Sequence, residues 1–146
     1  MADEVPGLKE NCTFCKISAK EKEAQIAYED EEFVAFPDIH PAVKNHYLII
    51  PKVHYGNPKS LDGRQLELVQ KMKEVAYKIL EQEKVDLDDV RIGFHWPPFN
   101  SIQHLHLHVL SPASQMSFFS NSIYRPNSWW FVTVEWMLEH LKKKLG

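Results

Sequence analysis

The segment His104-Leu105-His106-Leu107-His108-Val109-Leu110 constrains this chain more than any other. Strict alternation is the period of a β-strand, which sends the three imidazoles to one face and the two leucines to the other. At a rise of about 3.3 Å per residue, neighbouring imidazoles stand roughly 6–7 Å apart. Burying histidines without partners costs free energy. The leucines therefore read as anchors in a core, and the histidines as the lining of a site. The bland alternative is a solvent-facing polar stripe.

The rest of the chain sets the frame for that strand. At 146 residues, 44% hydrophobic and 25% charged, it has the size and composition of one globular domain with its own core. A formal net charge of −3 argues against general attraction to nucleic acid. No apolar run approaches membrane-spanning length, and the amino end lacks the apolar region of a signal peptide. Residues 1–11 are expected to form a flexible tail, ahead of one domain over 12–146 that ends in an aromatic and helical extension. Two cysteines, Cys12 and Cys15, are too few for a disulfide-stapled scaffold. A reducing compartment is expected, cytoplasmic and extending to the nucleus.

Strands are expected at Gln25–Tyr28, Phe33–Phe36, His46–Ile50, Val90–Phe94 and along the histidine segment. Pro37 and Pro41 bracket an extended loop, Asp38-Ile39-His40. From Ser60 to Lys84, apolar residues including Leu61, Leu68, Met72, Val75 and Ile79 recur at helical spacing. After Pro112 an irregular aromatic stretch precedes a helix expected over Phe131–Lys144. The fold class is α+β: a mainly antiparallel sheet, one long helix and a carboxyl-terminal helix.

Three imidazoles on successive same-face positions of one strand diverge, so a single metal held by all three is awkward. Nucleophilic catalysis fits better. One imidazole attacks while its neighbours fix its tautomer and balance charge, with phosphorus as the electrophile.

The histidine segment resembles the signature of the histidine triad superfamily of nucleotide hydrolases and transferases. Phe33–Pro41 is similar to that family's nucleoside loop, and His46–His54 to its central strand. The resemblance covers roughly Cys12 to Pro112. Phe94-His95, the proline-rich loop and Trp129-Trp130 resemble a vertebrate nucleotide-binding branch. It implies a HIT-like fold and a phosphoramidase that hydrolyses adenosine 5′-monophosphoramidates, of the AMP-amine and AMP-lysine type, and acyl-adenylates. His106 would be the nucleophile and become adenylylated, and water would release AMP. His108 would contact the phosphate, with His104 and His46 completing the catalytic set. Asp38 would hold the ribose hydroxyls and Ser101 a phosphate oxygen. Phe14, Ile17, Phe36 and Ile39 would enclose the purine, with adenine and guanine equally suited to the slot.

On the residues alone these positions read differently. His46 is equally a satisfied core histidine, Asp38 an ordinary turn former, and Phe36 and Ile39 simply core. His40, His54, His95 and His140 are individually uninformative, although His95 sits in the loop facing the triad.

The resemblance also brings a structural zinc held by Cys12, Cys15, His54 and His104, a closed two-sulfur, two-nitrogen set. Catalysis itself would need no cofactor. Two-fold dimers or larger homo-oligomers are implied, with helix 60–84 and strand 90–95 in contact across the axis. Competing activities are dinucleoside polyphosphate hydrolysis, whose branch carries a glutamine where this chain has Asn100-Ser101, and DNA-adenylate removal. A non-catalytic nucleotide-binding scaffold is a third alternative.

Overall fold

The computed structural model describes residues 25–99, 102 and 104–145. Six antiparallel strands form one sheet: β1 (Tyr28–Glu29), β2 (Phe33–Pro37), β3 (Asn45–Pro51), β4 (Arg91–His95), β5 (Leu107–Ser111) and β6 (Phe131–Thr133). Their order across the sheet is β1-β2-β3-β5-β4-β6. Helix α1 (Leu66–Gln82) precedes β4, the short α2 (Phe118–Ile123) precedes β6, and α3 (Val134–Leu145) follows it.

Period-2 alternation divides the sheet as expected. Ala35, Ile49, Ile92, Phe94, Leu107 and Val109 point to one face and pack against Met72, Ala76 and Ile79 of α1 and Met137 and Leu141 of α3. Val34, Phe36, Leu48 and Ile50 form a smaller apolar cluster on the other face. His108 lies opposite Leu48 on one side and Gly93 on the other, so it belongs to that second face. No helix among the described residues is long and apolar enough to cross a membrane.

Local chemistry moves several expected boundaries. Asp30 accepts hydrogen bonds from the backbone N–H groups of Glu32 and Phe33, closing a turn that shifts the first strand to Tyr28–Glu29. The long helix begins later than Ser60. Asp62 and Gln65 form a reciprocal capping box around a 3-10 turn, Gly63–Gln65, and α1 starts after it. The histidine strand begins at Leu107 rather than His104. Its β3 partner ends at Pro51, which has no N–H to offer, and His104 bonds to the Pro51 carbonyl outside the ladder.

The tail departs furthest from expectation. Phe131–Thr133 is a strand, not the first turn of a helix, and it pairs with β4 through Gly93↔Thr133 and Phe94↔Val132. Gly93 permits that approach: a Cβ there would collide with the Val132 carbonyl and lie 2.7 Å from the Phe131 ring. Gly63 does the same for the end of α3, because a Cβ there would sit 2.6 Å from the Leu145 side chain. The strand expected to meet a second subunit therefore has β5 on one edge and β6 on the other. The helix expected beside it is packed against α3, with Lys73 and Glu135 paired at 3.4 Å.

Candidate active site

The tautomer of His106 follows from one hydrogen bond. His106 Nδ1 lies 2.7 Å from the His104 carbonyl oxygen. A carbonyl only accepts, so the proton is on Nδ1 and the lone pair on Nε2. Burial holds this imidazole below its usual pKa, only partly opposed by the His104 carbonyl. It is thus a neutral ring with a basic Nε2.

A chain of hydrogen bonds fixes the rings beside it. The Ala42 N–H donates to His46 Nδ1 at 3.0 Å. The His46 proton is therefore on Nε2, which faces His108 Nδ1 at 3.0 Å and Asp38 Oδ2 at 3.4 Å. His108 Nε2 faces His95 Nδ1 at 3.3 Å, and His95 Nε2 lies 3.0 Å from the Ile123 carbonyl. A fixed donor at one end and a fixed acceptor at the other leave one arrangement of neutral rings: His46, His108 and His95 all carry their proton on Nε2. Burial is the largest cause lowering the pKa of each. His46 falls to about 4, and His108 lies well below the usual value.

His106 and His108 stand with ring centroids 5.1 Å apart and are only 7% and 5% exposed. His104 departs from the one-face expectation. Its Nε2–H donates to the Pro51 carbonyl at 2.9 Å, and its ring meets His54 edge-on at 4.8 Å. To the site it contributes its backbone carbonyl.

Asp38 is a turn former whose second oxygen lies against the histidine cluster. Oδ1 accepts the His40 N–H at 2.8 Å, as a turn former does, while Oδ2 faces His46. Phe36 is buried in the second apolar cluster, whereas Ile39 is 86% exposed. Phe14, Ile17, Ser101, Cys12 and Cys15 lie outside the described residues.

Sequence reasoning missed Tyr124. Its ring centroid is 5.3 Å from His46, 5.2 Å from His108 and 5.0 Å from His95, and it packs on Phe131. Burial, then the Asp38 charge, pushes its phenol up to about 12, so the hydroxyl stays protonated. An isolated tyrosine in an irregular stretch gives no periodic signal that could have found it.

Two groupings invite a metal, and tautomers distinguish them. Asp38, His46 and His108 bring ligand atoms within 4.8 Å of one another. Ligation there would need a lone pair on His46 Nε2, and the Ala42 N–H already fixes the proton on that atom. This set does not suit a metal. His104 is the reverse case: its Nε2–H is held by a carbonyl and Nδ1 carries the lone pair, the form a metal ligand takes. With His54 against it, the histidine half of the expected zinc set fits.

The family model described as scavenger mRNA decapping enzyme C-term binding matches residues 11–124. The adenosine 5′-monophosphoramidase HINT3 of Xenopus tropicalis is 47% identical over 134 residues, covering 90% of this chain and 88% of that protein. The Mus musculus protein of the same name is 45% identical over 136 residues, covering 91% and 82%. Among solved structures, a HIT family hydrolase from Clostridium thermocellum superposes with a TM-score of 0.66 at 35% identity, over 70% of this chain and 90% of that one. A sequence match of that depth through 90% of the chain makes it a member of the histidine triad (HIT) family.

Proposed function

We propose that this chain hydrolyses adenosine 5′-monophosphoramidates to AMP and an amine through an adenylyl-histidine. The observation that carries the reading is His106, a neutral imidazole whose Nδ1–H is held by the His104 carbonyl and whose Nε2 carries a lone pair. Nε2 attacks the α-phosphorus and the P–N bond breaks. The amine leaves with a proton from water. The carbonyl that holds Nδ1–H stabilises the imidazolium character of the adenylylated ring. The hydroxide left by that water then attacks phosphorus, forming the new P–O bond of AMP as the P–Nε2 bond breaks and the His106 lone pair is restored. His108 supports both steps by turning its Nε2–H from the long His95 contact to a phosphoryl oxygen when substrate is bound, with Ser101 as a second contact. Asp38 receives the ribose hydroxyls, and Phe36, Ile39, Phe14 and Ile17 take the purine. The named activity of the Xenopus and mouse relatives supports this substrate class.

Cys12, Cys15, His54 and His104 are proposed to hold a structural zinc. When bound, it would tie the amino end to the sheet and leave no open position for water. Elemental analysis should find about one zinc per chain, lost in Cys12→Ser. A metal-free protein removes the site. Self-association through the β4 edge would first have to displace β6, so a two-fold dimer of this chain is proposed to use other surfaces.

The test is a panel of AMP-amine, acyl-AMP, diadenosine polyphosphate and 5′-adenylated DNA, run on the parent and His106→Asn. The highest specificity constant is expected for AMP-amine, with an acid-labile adenylyl-histidine trapped by rapid quench. His106→Asn should still bind AMP and lose nearly all turnover. Full activity in that variant sinks the assignment.

A further inference from the structure

Three successive backbone carbonyls at the end of α2 each accept a hydrogen bond from a different side chain. Ser122 O accepts Trp130 Nε1–H at 2.7 Å, Ile123 O accepts His95 Nε2–H at 3.0 Å, and Tyr124 O accepts Arg91 Nη1–H at 3.3 Å. The same Arg91 nitrogen also donates to Asn121 Oδ1 at 2.6 Å. Carbonyls at a helix carboxyl end have no partner within the helix, so they are open to such donors. Here the middle one reaches the active site, and the flanking two are pinned by β4 and by the residue before β6. Tyr124 then lays its ring against His46, His95 and His108.

We infer that the carboxyl end of α2 is a positioning element of the active site: clamped by Trp130 and Arg91, it presents the Ile123 carbonyl that holds the His95 Nε2–H and so keeps His95 Nδ1 turned to His108 as an acceptor. The physical reason is directional. Without an acceptor at Ile123, the His95 Nε2–H loses its partner, and only the long contact to His108 at 3.3 Å still favours that tautomer. With the proton on Nδ1 instead, His95 turns from acceptor to donor toward His108 and opposes the His108 Nε2–H. His108, its proton fixed on Nε2 from the Ala42 end, would then lose its partner and spend part of its time rotated away. Trp130 and Arg91 touch no histidine of the relay through these bonds, so they act on it only through α2. They are positioning residues rather than catalytic ones.

This inference rests on the phosphoramidase reading for its kinetic arm, but its spectroscopic arm is independent of any activity. Ring nitrogens of 15N-histidine-labelled protein without ligand should show His46, His95 and His108 protonated on Nε2 at neutral pH. In Trp130→Phe and Arg91→Met, His95 should become a mixture of tautomers, while His46 and His108, held from the Ala42 end, stay protonated on Nε2. With AMP-amine as substrate, kcat should fall roughly tenfold or more with KM within about a factor of two, as expected when a reacting group is misplaced. Arg91→Lys keeps one donor for Asn121 and should recover part of both signals. Unchanged melting of Trp130→Phe separates positioning from loss of fold. His95 protonated on Nδ1 in the parent protein overturns the inference, as do variants with altered kcat but unaltered tautomers. If the parent shows the expected tautomers but no phosphoramidase activity, the functional reading fails and the relay stands.

Discussion

At the scale of single residues, the site separates side chains that act from side chains that hold. His106 presents a lone pair because a carbonyl takes its other nitrogen, and His46 presents a proton because an N–H takes its other nitrogen. Opposite backbone partners give two histidines, both on the sheet face that carries the site, opposite chemistry. Asp38 uses both oxygens, Oδ1 to close its own turn and Oδ2 to face His46. Asp38→Asn keeps a turn-forming oxygen, whereas Asp38→Ala removes both functions. If the carboxylate holds the ribose diol, both variants should weaken AMP binding, and Asp38→Ala by about 1–3 kcal/mol. Both should narrow the gap between AMP and its 2′-deoxy analogue in calorimetric titration. A gap preserved in Asp38→Asn would leave the residue as a turn former only.

At the scale of elements, β6 joins the sheet to the site. It pairs with β4, and its first residue, Phe131, packs on His95 and Tyr124. Gly93 is the position on which that pairing depends. In Gly93→Ala the new methyl meets the Val132 carbonyl and the Phe131 ring, so β6 must shift. Overpacking of this kind costs about 1–3 kcal/mol. Urea denaturation should show a lowered midpoint, and turnover should fall because Phe131 and Tyr124 move together. A midpoint equal to the parent's would mean that β6 is loosely docked. The histidine strand, α1 and β2–β4 were legible in sequence because each repeats its own period over several residues. β6 was not, since Phe131-Val132-Thr133 is too short to show alternation and runs straight into α3. What makes it a strand is the open edge of β4, a partner 36 to 40 positions earlier. The relay was half legible for the same reason. His106 and His108 declare themselves by spacing. His95, Ile123 and Tyr124 join them only through tertiary approach, and His104 leaves them because β3 stops at a proline.

At the scale of the whole molecule, burying several neutral histidines makes stability depend on pH in a window set by those rings. His46 falls from 6.5 to about 4, with burial as the main cause, and His95 and His108 shift in the same direction. Between those two pH values the unfolded chain binds protons that the folded chain refuses. The unfolded state carries more bound protons there, so stability must rise with pH across the window. The contribution is complete above about pH 6.5 and is lost progressively as pH falls toward 4. Each histidine kept neutral adds a slope of up to about 1.4 kcal/mol per pH unit. Asp62, lowered to about 2 by Arg64, titrates beneath this window and leaves it to the histidines. Urea midpoints should therefore be flat above pH 6.5 and fall steadily below it. The fall should be shallower in His46→Gln, which removes one protonation site and retains side-chain hydrogen-bonding atoms. A parent protein whose midpoint does not change between pH 6.5 and 4 would mean that the imidazoles accept protons in the folded state, and that the neutral relay does not exist in solution.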